Sequence, residues 1–152
     1  MARVTKLPNG DIIFNVDHSV GTHGRNHKTD VQLVQFLLNR HFEFMAETAQ
    51  MLDDAGFKPP EKLAVDGVCG PKTKAAILWF QKRIGQVQDG TMNRVDDDGV
   101  FGKPGDRRIY ALWFLNNALD RNRLLPSKSD ISVQPLAAEL SKFTDKPKVR
   151  PR

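Results

Sequence analysis

Lys72, Thr73 and Lys74 follow Gly70-Pro71, and residues of these types at the start of a helix could hold an anion. Proline has its φ fixed and lacks the N–H that would go unpaired at a first helical position, so Gly70 reads as the cap and Pro71 as the first residue. The unpaired N–H groups, the helix dipole and the two ammonium groups would together suit a carboxylate. Just upstream, Asp66-Gly67 reads as a tight turn in which Gly67 supplies positive φ and Asp66 bonds the local backbone. That is a purely structural use of the turn, and both uses stand at this stage. Trp79 falls beside the apolar stripe of the same helix, with Ala75, Lys82 and Arg83 as neighbours. An aromatic face flanked by cations suits a sugar ring or a peptide backbone, and a nucleobase nearly as well.

Other reactive residues do not assemble into familiar chemistry. His18, His23 and His27 lie close to Asp17 in a glycine-containing loop, so their spacing implies no preformed metal geometry and no metal site is assigned. Asp96-Asp97-Asp98-Gly99 resembles a calcium loop only superficially, because Arg94 and Gly105 would occupy the first and twelfth positions, where carboxylates are needed. Cys69 is expected to be a small buried apolar residue, and all four histidines precede residue 42 without a recognisable nucleophile pattern. Glu43 and Glu47, one helical turn apart, are expected to be solvated. The sequence nominates no catalytic residue and no cofactor, and the reading is non-enzymatic.

These residues need elements to position them. Val4 to Val16 predicts a β-hairpin turning at Pro8-Asn9-Gly10, with Ile12, Phe14 and Val16 alternating on one face. Residues 21–28 read as loop. Thr29 or Asp30 is then expected to cap a long first helix that carries Val31, Val34, Phe36, Leu37 and Leu38 and runs to Leu52. A second helix from Pro71 buries Thr73, Ala76, Ile77, Phe80 and Ile84. After a polar connection over 86–95, a third helix is expected from Asp106 to Asn122, apolar around most of its circumference and so the most buried, with Trp113 in the core. Leu136 to Phe143 could form a short helix, and Asp145 to Arg152 is a basic tail without core signal. The expected division is a hairpin extension over 1–28, a helical domain over 29–125 and a largely flexible tail over 126–152.

A glycine-rich turn leading into an amphipathic helix occurs twice: Val65-Asp66-Gly67-Val68-Cys69-Gly70 before Leu78-Trp79-Phe80, and Asp97-Asp98-Gly99-Val100-Phe101-Gly102 before Leu112-Trp113-Phe114. The spacing of roughly 33 residues implies an internal duplication. Asp89-Gly90 and Asp98-Gly99 could each form the second turn, and Gly102 favours the later one. With the first helix Val31-Gln32-Leu33-Val34-Gln35 and the later Ala75-Ala76-Ile77-Leu78-Trp79-Phe80-Gln81, residues 30–120 resemble the three-helix peptidoglycan-binding module of bacterial cell-wall hydrolases. Cys69 departs from the aromatic or large aliphatic usual there, and the stretch from Phe42 to Leu63 is longer than usual. The resemblance implies a mainly α, three-helix bundle that binds peptidoglycan glycan or stem peptide. It points to Asp66, Gly67, Gly70, Lys72, Thr73, Lys74, Trp79 and Arg83 as binding residues, with Asp98 and Gly99 from the second turn.

Composition fits this reading and narrows the others. The 152 residues hold one ordinary domain, and the stretches outside the resemblance are too short for a hydrolase. One cysteine excludes an internal disulfide. The net charge of +5 favours polyanions in general, so nucleic acid ranks below the wall ligand without being removed by charge alone. No apolar run is long enough to span a membrane. The first twenty residues lack the apolar core of a secretory signal, so the expectation is synthesis in the cytoplasm and action at the periplasm or wall after a signal-independent export. The alternative is an adaptor of a phage or secretion apparatus that reuses the module's fold to bind a protein partner.

Overall fold

The computed structural model describes residues 3–6, 12–51, 59–84, 89–95 and 111–121. These are mainly helical. The order is β1 (Arg3–Lys6), β2 (Ile12–Asn15), β3 (Val20–Gly21), α1 (Lys28–Met51), α2 (Pro71–Arg83), β4 (Thr91–Met92) and α3 (Ala111–Arg121). Strands β1 and β2 pair antiparallel with Val4 opposite Phe14, and β3 pairs antiparallel with β4, Val20 opposite Met92.

The second pair corrects the sequence reading, which made loop of 21–28 and of 86–95. These strands are two residues each, too short for a periodicity to register. The expected alternation on β2 also fails, because Ile13, Phe14, Asn15 and Val16 are all buried. Helices α1 and α3 both contact β2. The hairpin turn at Pro8-Asn9-Gly10, the third helix before Ala111, and the segments 96–110 and 122–152 lie outside the described residues.

Helix α1 carries the longest buried run among the described residues, and the described part of α3, expected to be the most buried helix, is buried at Leu112, Leu115, Asn116, Ala118 and Leu119. From Asp30 to Arg40 every residue except Gln32 is buried, because α2, α3, β2 and β3 all contact this helix. Asp30 does not cap it. The helix already begins at Lys28, and the Asp30 carboxylate instead accepts the N–H groups of Asp17 (3.2 Å) and His18 (3.1 Å), fastening the preceding loop. Helix α2 starts as expected, with Gly70 as cap and Pro71 in the first turn, and it buries Thr73, Ala76, Ile77, Phe80 and Gln81. Ile84 and Trp113 are only partly buried, though both pack on the core.

Between these elements, buried amide side chains replace missing strand partners. Asn116 accepts the Phe14 N–H (2.7 Å) and donates to the Phe14 carbonyl (2.9 Å). Asn39 treats Leu63 in the same way, at 2.7 and 2.8 Å, and Asn15 does so for Val95, at 3.0 and 2.8 Å. One amide offers a donor and an acceptor, so it satisfies both backbone groups of a buried residue that would otherwise be costly to bury.

Candidate functional site

Helix α1 positions the first Asp-Gly turn through Gln35. The Gln35 Oε1 accepts the Gly67 N–H at 3.0 Å, while Nε2 donates to Asp66 Oδ1 (3.1 Å), the Val68 carbonyl (3.0 Å) and Thr73 Oγ1 (3.1 Å). Asp66 Oδ1 also accepts the Val68 N–H at 2.9 Å, as the turn chemistry requires. These bonds, the backbone one first, hold the Asp66 carboxyl below the usual carboxylate range. It is therefore charged at neutral pH. Gly67 is buried with φ +77°, and a Cβ there would run into Lys28.

A groove of about 570 Å³ opens beside this turn, in the size range of small-ligand sites. Asp66, Gly70, Lys72 and Thr73 line it, together with Lys62, Leu63, Ala64 and Val68, which the sequence reading did not single out. Val68 is 64% exposed and Lys72 is exposed, so both can meet a ligand. Lys62 Nζ lies 3.8 Å from Glu43, which is thereby engaged and only partly exposed. Gly70 provides no side-chain cap for the α2 N–H groups. Thr73 is buried, and its hydroxyl already accepts from Gln35, which makes it part of the turn's support.

The remaining expected residues do not converge on this groove. Lys74 is half-buried near Cys69, whose thiol is pushed up by burial against the opposing pull of that ammonium. Trp79 is partly buried on the core, edge-on to Phe42 with centroids 5.4 Å apart, and the Arg83 guanidinium lies 5.9 Å from its ring centroid. Among the described residues, Asp89-Gly90 repeats the geometry of Asp66-Gly67, while Asp98-Gly99, which Gly102 favoured as the second turn, lies outside them. Gly90 has φ +72°, its N–H donates to Gln81 Oε1 (2.9 Å), and Gln81 Nε2 donates to Asp89 Oδ1 (3.0 Å) and the Thr91 carbonyl (2.8 Å).

Among the described residues no group of three or more His, Cys, Asp or Glu side chains is placed to hold a metal. The His18 and His27 rings stack at 4.2 Å, and Asp30 is occupied by backbone. No described helix is long and apolar enough to cross a membrane.

Gln35 could have been noticed in the sequence as an amide within an otherwise apolar helical stripe. Lys62 to Ala64 carried no such signal. No curated protein and no solved structure gives a significant match to the chain. Residues 43–95, which hold both clasped turns and all of α2, match the family model described as "putative peptidoglycan binding domain", the module that the sequence resembles.

Proposed function

We propose that the chain binds peptidoglycan without cleaving it, and that the ligand seats in the groove between the Asp66-Gly67 turn and the start of α2. The observation that carries this reading is the groove itself, whose lining apart from Gln35 lies in the matched stretch and which has Lys72 and the uncapped first turn of α2 on its rim. A ligand carboxylate there would meet both the lysine and the positive end of the helix dipole. The non-catalytic part is supported by the binding role that the family description names and by the Cys69 thiol, which burial keeps protonated and so poorly nucleophilic.

Sedimentation with purified sacculi tests the proposal, with the supernatant analysed for soluble fragments. Protein in the pellet and no steady fragment release is the expected result. Release that grows with time at catalytic protein concentrations would contradict it.

A second reading, an adaptor of a phage or secretion apparatus, draws on Leu78. This side chain is 40% exposed on α2 and lies outside the groove lining, so it is available to a protein partner.

A further inference from the structure

The groove carries both signs of charge, and its lining is poorly suited to a sugar. Leu63, Ala64, Val68 and Pro71 form its apolar surface, and no aromatic ring is among the lining residues. A sugar ring favours an aromatic face to stack on and amide or carboxylate groups to take its hydroxyls. Gln35, the one amide in the lining, is already engaged by Gly67, Asp66, Val68 and Thr73, which leaves Asp66 as the one carboxylate there for a sugar hydroxyl.

Three charged residues line the groove, Lys62, Asp66 and Lys72, and Lys62 lies 3.8 Å from Glu43. Asp66 is exposed, and its bonds from Val68 and Gln35 both fall on Oδ1, which leaves Oδ2 to a ligand. Lys72 is exposed on the same groove and makes no ion pair with a described residue. A simple acid drawn to Lys72 is opposed by Asp66, and a simple amine drawn to Asp66 is opposed by Lys72 and Lys62. Only a group with both charges finds complementarity at each end.

We propose that the groove selects a peptide end that carries a free ammonium and a free carboxylate on the same residue, the ammonium at Asp66 Oδ2 and the carboxylate at Lys72. The chemical class is a diamino-acid residue whose side chain terminates as an amino acid, with the adjoining peptide lying on the apolar lining. This rests on the wall-binding reading above, since stem peptides built on such a residue present this end.

Calorimetric titration of the full chain tests the proposal with four probes: a synthetic stem peptide with the zwitterionic end, the same peptide acetylated on that amine, the same peptide amidated on that carboxyl, and the glycan disaccharide. Sacculus sedimentation is run in parallel. Acetylation and amidation should each weaken binding about two- to fivefold, the effect of one exposed charge contact. Asp66→Asn keeps an Oδ1 acceptor for the turn, and it should become indifferent to acetylation while remaining sensitive to amidation. Lys72→Gln should show the reverse. Equal binding of the free and capped peptides by the wild-type chain overturns the proposal whether or not the variants fold, and so does binding of the disaccharide in place of the peptide. If sacculi still pellet the protein in those cases, wall binding stands without zwitterion selection. If they do not, both readings fall.

Discussion

Gln35 on α1 and Gln81 on α2 hold their Asp-Gly turns with the same bonds. Each Oε1 accepts the glycine N–H, at 3.0 and 2.9 Å, and each Nε2 donates to the aspartate Oδ1, at 3.1 and 3.0 Å. Each Nε2 also donates to the carbonyl after the glycine, at 3.0 and 2.8 Å. A buried glutamine thus performs for two loops what a neighbouring strand does in a sheet. Among the described residues the geometry occurs twice, each time as a helix followed by the turn that it clasps.

Removing either amide should therefore destabilise the protein more than its size suggests. Gln35→Ala leaves the buried Gly67 N–H without its acceptor, and Gln81→Ala does the same to Gly90. Each should cost about 2–4 kcal/mol. Urea denaturation measures this, and a double-mutant cycle of Gln35 with Asp66 should show coupling well above that of a surface pair.

The two glycines of the first turn should respond in opposite ways. Gly67→Ala places a Cβ at φ +77° and against Lys28, so a loss of about 2–4 kcal/mol is expected. Gly70 has φ −87° and open space around its missing side chain. Gly70→Ser should change stability by only a few tenths of a kcal/mol, in the stabilising direction, because serine caps α2. The same hydroxyl would occupy N–H groups offered to a ligand carboxylate, so wall affinity should fall while the melting temperature does not.

His41 makes stability depend on pH. Burial, assisted by the Arg83 charge, lowers its pKa to about 4, against 6.5 for the free side chain. The unfolded chain then binds more protons than the folded one between these values, so stability is full above pH 6.5 and is lost as pH falls towards 4. The loss should approach about 3 kcal/mol at most. Chemical denaturation at a series of pH values, with His41→Gln as the control that flattens this window, measures it.

Trp79 separates packing from binding. Its ring meets Phe42 edge-on and the Arg83 guanidinium, and it does not line the groove. Trp79→Ala should lower stability by about 2–3 kcal/mol and leave sacculus affinity unchanged in the protein that remains folded.

What the sequence made legible follows physical range. Pro71 after Gly70, the period of Ala76, Ile77 and Phe80, and the Asp66-Gly67 turn are local signals, and each is found in place. Asp30 misled because its residue type fits a helix cap, whereas its partners, the N–H groups of Asp17 and His18, lie in the preceding loop. The clasp of Asp89-Gly90 by Gln81, eight residues earlier in the chain, is a tertiary contact invisible to spacing. Trp79, read as a ligand platform on α2, packs on Phe42 and does not line the groove that Lys72 lines. The groove was formed instead from a loop, Lys62 to Ala64, that has no periodicity and is fastened at Leu63 by Asn39 on α1.

The central claim is that wall ligand seats at the groove, and Lys72→Glu tests it most directly. Lys72 is exposed at the start of α2, so the reversal should leave the fold intact. The dissociation constant for purified sacculi, compared between wild type and Lys72→Glu at equal melting temperature, should rise several-fold. That is the size expected for a surface charge of about 0.3–1 kcal/mol near a helix end. Unchanged affinity in a folded Lys72→Glu protein would contradict the account and move the ligand away from this groove.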